Sequence, residues 1–424
     1  MNPTRAFAAT IGWDWADRKH DLWICPADQT KPEHLVLEQT PEAIHAWVAK
    51  LRQRFAGQPV AICLETSRGP VISALQAYDF IVLFPINPKA LKSYRAAFSV
   101  SGAKDDRTDA ILLEEYVRLH QDKLRALEPD TELTRTLGGL VEARRQLVDE
   151  RTRFVEQLHS LLKMYYPAAE MLLGEQLTTP MASEFLVRWP DLDSLQKATA
   201  NTLRAFFLKH NSRNSEKIQA RLDSIARARA LTTDPAIILP ARLRVSALVR
   251  MLKPLHQAID TMEAQIERLM DQHPDREIFR SFPGAGPCLA PRLLVAFGTN
   301  RERFRSAVEV AQFYGIAPVM RQSGTTKTVQ VRTRCPKFGR QTYHENAGCA
   351  LREELWASAF HCRYKNEHDS RHHQANRSLA FKLIRVYFAC WKNRTPYDPE
   401  KYENALEASG SPYAATRRVQ KNCE

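Results

Sequence analysis

The stretch FAATIGWDWADRKHDLWICPADQTKPEHLVLE, residues 7–38, contains three short apolar runs separated by polar turns. The runs are FAATIGW at 7–13, DLWIC at 21–25 and HLVLE at 34–38. Short runs that are apolar throughout, or that alternate apolar and polar residues, are typical of β-strands. We therefore predict that the chain opens with a meander of three strands.

The residues that follow alternate between helical and strand patterns. A helical pattern at 42–56 precedes the buried run VAICL at 60–64, and a helix after Gly69-Pro70 precedes the buried run FIVLFPI at 80–86. Strands and helices in this order predict a mixed α/β sheet whose later strands are joined by crossovers. In such sheets the functional residues gather at the carboxyl ends of the strands.

From about residue 130 the pattern becomes that of long helices. One heptad seam contains Leu133, Leu137, Leu140, Leu147, Phe154, Leu158 and Leu161, with Arg144 and Arg151 at the two missing steps. A second seam contains Val245, Leu248, Leu252, Leu255, Ile259, Met262, Ile266 and Leu269, and Pro254 should kink that helix or mark its start. The two seams could pair with each other or with another copy of the chain.

The length of the chain and the distribution of its charge predict three domains. A chain of 424 residues is too long for one core, because single cores stop growing at about 250–300 residues. We predict a first domain at 1–125, a helical coiled-coil hairpin at 126–275 with inserted helices at 166–240, and a mostly helical basic domain at 276–424. That last third carries a net charge of +12 out of the total of +13, which favours a polyanionic partner, although a basic surface without a partner is the alternative.

Membrane and secretory signals are missing from the sequence pattern. No apolar run approaches the roughly 20 residues that span a bilayer, and the first residues turn polar too early for a signal peptide. The eight cysteines form no C-x-x-C pair, so neither a zinc ribbon nor a redox motif is present. We therefore expect a cytosolic protein with no membrane partner and with reduced thiols.

Four carboxylates are predicted to meet at one edge of the sheet. Asp14 ends the first strand, Glu65 ends the fourth, and Asp106 and Asp109 lie three residues apart at the start of a helix. Carboxylate oxygens are the ligands that Mg²⁺ prefers, and one or two ions held there could act on a phosphodiester. The alternatives are that Asp106 only caps its helix and that Glu65 is a solvated loop acid.

A glycine-rich turn precedes an apolar helical run in SFPGAGPCLAPRLLVAFG, residues 281–298. This turn resembles the hairpin of a helix-hairpin-helix module. In such a module, glycines such as Gly284 and Gly286 let backbone amides and a helix N-terminus approach a phosphate. A purely structural turn between two core helices is the alternative.

These motifs together resemble the DEDD transposases of insertion sequence family one hundred and ten. The resemblance is carried by the two strand-end acids, KDDRTDA at 104–110, PGAGPCLAPRLL at 283–294, FYGIAPVMRQSG at 313–324 and FKLIRVYFACWKNRTPYDP at 381–399. It implies a RuvC-like (RNase H-like) first domain, and its register selects Asp106 rather than Asp105 as the ligand beside Asp109.

The resemblance also implies a nucleophile in the second half of the chain, because Ser323 matches the serine of the family motif. A serine hydroxyl needs activation before it attacks phosphorus, and residues 321–344 supply positive charge with no Asp or Glu. The candidate nucleic-acid contacts there are Arg321, Lys327, Arg332, Arg334, Lys337 and Arg340.

In the family that the sequence resembles, DNA strands are cut and rejoined through a covalent phosphoserine linkage. The carboxylate domain of one subunit is thought to meet the serine domain of another, which implies a dimer or tetramer. The partners implied are DNA and, in some relatives, a guide RNA transcribed from the element.

Two other functions are compatible with the same residues. One is a metal-dependent, structure-specific DNA endonuclease of the Holliday-junction type, in which the acids activate water and Ser323 only binds phosphate. The other is a non-catalytic nucleic-acid-binding protein.

Overall fold

The computed structural model describes residues 6–28, 31–98, 106–369 and 371–414. Two compact units are present, one up to Pro129 and the other from Asp130 onward, so the helical hairpin and the basic last third lie in the same unit. The first unit is mixed α/β and the second is largely helical, which confirms the predicted combination of a mixed sheet with a helical remainder. Lys104 and Asp105 of the KDDRTDA motif, and Cys423, lie outside the described residues.

The first unit is built on a five-stranded sheet with the order β3-β2-β1-β4-β5. Its strands are β1 (Ala9–Asp14), β2 (Lys19–Pro26), β3 (Glu33–Glu38), β4 (Val60–Leu64) and β5 (Ile81–Pro85). Strands β1, β2 and β3 pair antiparallel, as the predicted meander requires. Strand β4 pairs parallel with both β1 and β5, which confirms that crossovers join the later strands.

Helices cover both faces of this sheet. They are α1 (Pro41–Arg54), α2 (Pro70–Leu75), α3 (Pro88–Phe98) and α4 (Asp106–His120). Because successive side chains of a strand alternate between faces, Ile11 and Trp13 point to one side and Thr10, Gly12 and Asp14 to the other. Trp13 is fully buried and its ring lies 5.3 Å from that of Trp47 on α1, so α1 covers the first side.

Helix α4 covers the side that carries Thr10, Gly12 and Asp14. A Cβ atom built on Gly12 would overlap the carbonyl oxygen of Ala110 and crowd the backbone nitrogen of Glu114, both on α4. Only glycine therefore allows the helix backbone to rest directly on β1.

The second unit begins with a long helical hairpin and inserted helices. Its elements are α5 (Glu132–Tyr165), α6 (Pro167–Leu173), a 3-10 turn (Gly174–Thr178), α7 (Pro180–Arg188), α8 (Leu192–Gln196), α9 (Ala200–Lys209), α10 (Ser215–Arg227) and α11 (Pro235–Gln272). The inserted helices share their own core with one end of the hairpin, around Phe185, Phe207 and Leu252.

The two heptad seams pair with each other within one chain. Leu137 and Leu140 of α5 pack in one core with Ile266 and Leu269 of α11. Helix α11 begins at Pro235 and continues unbroken through Pro254 to Gln272, so Pro254 does not mark its start.

The remaining residues form helices around one exposed hairpin. The helices are α12 (Arg276–Arg280), α13 (Gly286–Phe297), α14 (Ala307–Phe313), α15 (Lys337–Glu353), α16 (Leu355–His368), α17 (His372–Asn393) and α18 (Pro399–Ala408), and the hairpin is β6 (Val319–Ser323) with β7 (Thr326–Gln330). Tyr387 and Trp391 of α17 are fully buried, and the Tyr387 ring stacks on Phe282 at 4.0 Å.

A buried histidine links the end of α11 to the start of α5, at the open end of the long hairpin. His273 follows α11, and its Nε2 atom lies 3.0 Å from Thr134 Oγ1 on α5. Its Nδ1 atom accepts a hydrogen bond of 3.1 Å from the backbone N–H of Asp275. This arrangement needs the neutral imidazole, because a protonated ring has no acceptor for that N–H.

None of the helices in the described ranges is long and apolar enough to cross a membrane.

Replacing Gly12 with alanine should destabilise the first unit, because the added methyl group must displace the α4 backbone. We expect a loss of about 1–3 kcal/mol in the free energy of unfolding, measured by urea denaturation. Gly139→Ala is the matched control, since a Cβ there meets nothing within 4 Å and the helix should gain about 0.5–1 kcal/mol. Equal effects of the two substitutions would contradict the close packing of α4.

Stability should fall in mild acid through His273. Burial lowers the pKa of His273 below its ordinary value, with Arg301 contributing in the same direction. As pH falls through about 6.5, the unfolded chain binds the proton before the folded chain does, so stability present above that pH is lost below it. We expect the melting temperature of His273→Gln to fall less than that of the wild type between about pH 7.5 and about pH 5.5. An equal fall in melting temperature in both proteins would show that His273 does not contribute to the loss of stability in acid.

Candidate functional site

The carboxyl ends of β1 and β4 bring two acids side by side. Trp13 is in register with Leu64 across the parallel pair, and Asp14 and Glu65 are the next residue on each strand. Neighbouring strands lie about 4.8 Å apart, so these two positions are adjacent at the edge of the sheet. This adjacency is what the sequence predicts for Asp14 and Glu65.

Helix α4 runs antiparallel to β1 and brings its first turn to the same edge. Thr10, near the start of β1, donates a hydrogen bond of 2.5 Å to Glu114 in the middle of α4, while Gly12 rests against Ala110 one turn earlier. Continuing in this direction, Asp14 on β1 corresponds to the first turn of α4. That turn contains Asp106 and Asp109.

Asp109 is engaged by a cation from the neighbouring helix. Its side chain is only 5% exposed, and Arg95 on α3 forms a close ion pair with it through Nη2. A buried carboxylate without a counter-charge is costly, so Arg95 stabilises Asp109 in the folded chain. Arg95 is absent from the residues that the sequence singled out.

The surface between β4 and α4 is acidic. Burial raises the pKa of the Cys63 thiol on β4, and the nearby Glu114 and Glu65 carboxylates raise it further. Cys63 is in register with Gly12 on the side that α4 covers, and strand alternation places Glu65, two residues later, on that same side.

Further polar residues surround this edge. Asp21 on β2 lies directly across from Asp14, and it is bound by His34 Nε2 at 2.7 Å. Arg107 of α4 places its guanidinium 5.4 Å from the centre of the Trp23 ring on β2. The β1–β2 hairpin predicted from the sequence already implied that Asp21 lies near Asp14, whereas the pairing with His34 depends on the register of β3.

The acids share an edge, but they are not gathered into a compact ligand cage. Across the described ranges, no three His, Cys, Asp or Glu side chains are grouped closely enough to hold a metal ion. The donor chemistry fits a hard divalent cation, since four carboxylates are offered, and an ion at Asp109 would compete with its ion pair to Arg95.

Ser323 lies at the tip of the exposed β6–β7 hairpin. It pairs with Thr326, and the turn between them contains Gly324, whose φ of 57° is the left-handed conformation that favours glycine. Every residue from Met320 to Gln330 is exposed. In the part of the chain that the structure describes, no side chain hydrogen-bonds the Ser323 hydroxyl, so the hairpin itself supplies no general base.

The two faces of the hairpin differ in chemistry. Alternation places Arg321 and Ser323 on one face, where Thr326 and Thr328 stand opposite them on β7. The other face carries Met320, Gln322, Lys327 and Val329. The serine face is therefore rich in hydroxyl groups and includes one guanidinium, while Lys327 points the other way.

Three arginines hold the stem of this hairpin, one in the loop after β7 and two on helices α15 and α17. Arg332 Nη1 donates to the carbonyl oxygen of Gln312 at 2.9 Å, and Arg340 Nη1 donates to that of Arg332 at 3.3 Å. Arg377 of α17 donates from Nε to the Ile316 carbonyl at 3.0 Å and from Nη2 to the Gly315 carbonyl. Arg332 and Arg340, predicted as nucleic-acid contacts, thus have structural bonds as well, and Arg377 was not singled out by the sequence.

In the glycine-rich turn before α13, one of the two backbone N–H groups expected to bind phosphate already bonds to another residue of the protein. The Gly284 N–H donates to Glu353 Oε2 at 2.6 Å, and a Cβ on Gly284 would lie 2.6 Å from Cys349 on α15. Gly286 is exposed, with a φ of 51° and open space around it. Of the two glycines, only Gly286 presents its backbone toward solvent.

Known proteins resemble both halves of the chain. The family model for DEDD transposases of IS110, described as Transposase, matches residues 11–167. A second model, described as Transposase IS116/IS110/IS902 family, matches residues 276–362. The first match contains all four acids and the second contains Ser323.

One relative covers 92% of the chain, and two others cover 70% and 72% of it. The mini-circle putative transposase for IS117 from Streptomyces coelicolor is 31% identical over 403 residues, which is 92% of this chain and 95% of that protein. The insertion element IS110 uncharacterized 43.6 kDa protein of the same organism is 28% identical over 70% of this chain and 72% of its own length. An IS900 uncharacterized 42 kDa protein from Mycobacterium paratuberculosis is 27% identical over 72% of this chain and 76% of its own length.

Removing Arg95 should make the first unit depend on divalent metal. In Arg95→Met the buried Asp109 loses this ion pair, so we expect about 3–5 kcal/mol of destabilisation without metal. Millimolar Mg²⁺ should raise the melting temperature of this variant more than that of the wild type, because the ion no longer competes with a guanidinium. The double variant Arg95→Met/Asp109→Asn is the control and should lose the extra response, whereas equal Mg²⁺ responses in all three proteins would contradict metal binding at Asp109.

Proposed function

Because the chain belongs to the IS116/IS110/IS902 family of transposases, which are enzymes that act on DNA, we propose that it cuts and rejoins DNA strands of an insertion sequence using Ser323. The observation that carries this proposal is the position of Ser323 at an exposed hairpin tip, on the same face as Arg321. Such a tip can reach a phosphate that a buried serine could not.

The first unit would serve as a RuvC-like carboxylate domain. Asp14, Glu65, Asp106 and Asp109 are the residues that would hold one or two Mg²⁺ ions at the carboxyl edge of the sheet. Bound there, Mg²⁺ would neutralise phosphate charge and lower the pKa of a bound hydroxyl group. The shared edge of β1, β4 and α4 supports this assignment, and Arg95 balances the charge of the buried Asp109 side chain.

The second unit would supply the nucleophile. The Ser323 oxygen attacks the phosphorus of a DNA phosphodiester, forming a new O–P bond as the bond to one deoxyribose oxygen breaks. The serine proton passes to a base or to water, and the deoxyribose oxygen leaves as a hydroxyl group. A second DNA hydroxyl then attacks the phosphoserine ester, restoring Ser323 and joining the strand without ATP.

The residues around Ser323 would stabilise this step electrostatically. Arg321 lies two positions away on the same face and can donate to the phosphate oxygens as negative charge develops. Lys327, Arg332, Arg334, Lys337 and Arg340 would contact phosphates along the strand. The bonds from Arg377 to the Gly315 and Ile316 carbonyls would keep the hairpin aimed, since an isolated two-stranded hairpin is only marginally stable.

We propose that the active enzyme is an oligomer in which Ser323 of one subunit meets the carboxylates of another. The support is chemical, because no side chain among the described residues is positioned as a base for Ser323. The heptad seams do not supply the assembly contact, since α5 and α11 use them against each other.

A guide RNA is the further partner that we propose. The last third of the chain carries +12 and would attract polyanions by charge, while the backbone N–H of Gly286 at the start of α13 could donate to a phosphate. Target sequence would then be read by base pairing rather than by side chains.

A metal-dependent DNA endonuclease is the second candidate. The absence of a base beside Ser323 in the described residues favours it, because the carboxylates alone could activate water for hydrolysis. The two functions differ in whether a covalent protein–DNA adduct forms.

The adduct is therefore the test. Purified protein, Mg²⁺ and labelled DNA carrying an element junction, with and without RNA from the element flanks, should give a denaturation-resistant adduct. Ser323→Ala should abolish the adduct while leaving DNA affinity within about twofold, because the hydroxyl group contributes little to binding. Asp109→Asn should also lose the adduct, and cleaved DNA without an adduct that is indifferent to Ser323→Ala would establish the endonuclease.

A matched pair of cations separates catalysis from binding. Arg321→Ala should slow adduct formation by about 10²–10³, as expected when one donor to a developing charge is removed. Lys327→Ala, on the opposite face, should weaken DNA binding without a comparable loss of rate for bound DNA.

A further inference from the structure

The inserted helices carry a concentrated positive charge that the proposed chemistry does not use. Residues 197–229, which include α9 and α10, contain eight Lys or Arg and two acids, a net charge of +6. The preceding residues 126–196 carry −5, so the two segments nearly cancel in the total charge of the helical hairpin. A charge concentrated on one small group of helices produces a local field that attracts a polyanion.

Helix α10 is held firmly within the inserted helices. Its three large apolar side chains are all buried in their core: Ile218, Leu222 and Ile225. Gln196 Nε2 donates to the carbonyl oxygens of Ile225 at 3.0 Å and of Ala228 at 2.9 Å, which fixes the end of the helix. The outer surface of α10 is therefore polar, and its side chains keep a defined spacing.

Helices α9 and α10 are joined by a five-residue turn, 210–214, and bond to each other across it. Arg204 Nη2 on α9 donates to Gln219 Oε1 on α10 at 3.1 Å. Arg221 Nη1 donates to Ser212 Oγ in the turn at 3.1 Å, and its guanidinium lies 4.8 Å from the centre of the Phe207 ring. Two packed helices joined by a short turn present the second helix to the major groove in many DNA-binding proteins.

Four residues form one stripe along the outside of α10. Lys217, Ala220, Ser224 and Arg227 are spaced 3, 4 and 3 residues apart, so they share one side of the helix. A cation stands at each end, about 15 Å from the other along the axis, and the two residues between them are small. The major groove of B-DNA is about 12 Å wide, so a helix that enters it on this side can reach phosphates on both of its walls.

The cations of the stripe are available to a partner. Lys217 and Arg227 are both exposed, and within the described ranges neither forms an ion pair with a carboxylate. Arg227 donates from Nε to the carbonyl oxygen of Asp223 at 3.1 Å, a bond within its own helix. By contrast, Lys197 and Lys209, elsewhere on the inserted helices, each form an ion pair with an acid.

The two acids of α10 lie on the side next to the stripe and have roles within the protein. Glu216 is in the first turn, where the helix dipole favours a negative charge. Asp223 Oδ1 accepts a hydrogen bond of 2.9 Å from Gln219 Nε2. The stripe itself therefore contains positive charge and no acid.

We propose that the stripe on α10 is a second DNA-binding surface, which docks in the major groove of the duplex that flanks the site of strand cleavage. Lys217 and Arg227 would contact phosphates on the two sides of the groove, and Ala220 and Ser224 would let the helix approach the bases. The inference rests on the proposed function, since DNA is taken as the substrate. Double-stranded RNA fits less well, because its major groove is too narrow for protein side chains to enter.

The test measures how the affinity of the full-length protein for a labelled element-junction duplex depends on salt, by fluorescence anisotropy without divalent metal. Lys217→Ala/Arg227→Ala should lower the slope of log affinity against log salt by about 2, because each lost phosphate contact lowers it by about 1. Lys197→Ala/Lys209→Ala removes the same charge and should keep the wild-type slope. Equal slopes in the two double variants, or an equal loss of affinity for a double-stranded RNA of the same sequence, would overturn the proposal.

A steric pair tests the docking of the helix without changing charge. Ala220→Trp places a bulky ring between the two cations and should weaken duplex binding by about fivefold or more, the smallest cost of a lost groove contact. Ala226→Trp, on another exposed side of α10, is the matched control and should bind as the wild type does. Equal affinities in the two variants would contradict entry of the stripe into the groove.

These measurements are independent of the Ser323 chemistry. If the wild type forms no covalent adduct but the stripe variants lose duplex affinity, the proposed function fails and the α10 surface stands. If the adduct forms and the stripe variants bind the duplex as the wild type does, the α10 surface fails and the proposed function stands.

Discussion

The absence of a side chain at Gly12 is the constraint on which the first unit depends. With no Cβ in the way, the α4 backbone rests on β1 beside Ala110 and Glu114, and the helix is fixed antiparallel to the strand. The first turn of α4 then lies beside the ends of β1 and β4. Asp106 and Asp109, which are in that turn, are therefore on the same edge of the sheet as Asp14 and Glu65. The Gly12 contact and the Thr10–Glu114 hydrogen bond together therefore bring acids that are nearly a hundred residues apart in the chain toward one edge.

The second unit meets a different requirement, since it presents an exposed residue from a rigid base. The hairpin that carries Ser323 has no core of its own, and its position is set by guanidinium bonds to carbonyl groups at its stem. Gly315 is part of the same stem, where a Cβ would lie 2.6 Å from Cys335 Sγ. A serine that attacks a DNA phosphate would need to be accessible at the hairpin tip and held in a fixed position by the stem.

Much of this arrangement is readable from the sequence, because strand and helix periodicities depend on local patterning. The meander, the crossover strands and the strand-end positions of Asp14 and Glu65 follow from apolar runs and their spacing. The sequence does not predict the pairing of Arg95 with Asp109 or of Arg377 with Gly315. Each of these contacts joins two elements whose approach depends on tertiary packing. The mutual pairing of α5 with α11 was one of two alternatives that heptad spacing alone could not separate.

The proposed metal site joins three separate segments of the first unit, and a cation that cleaves the chain where it binds tests it directly. Iron(II) in place of Mg²⁺, with ascorbate and peroxide, generates hydroxyl radicals at a bound ion and cuts the nearest backbone. Our account predicts cuts close to Asp14, to Glu65 and to the first turn of α4, all suppressed together by excess Mg²⁺ and lost in Asp14→Asn. Cuts at only one of these segments, or cuts that Mg²⁺ does not suppress, would contradict it.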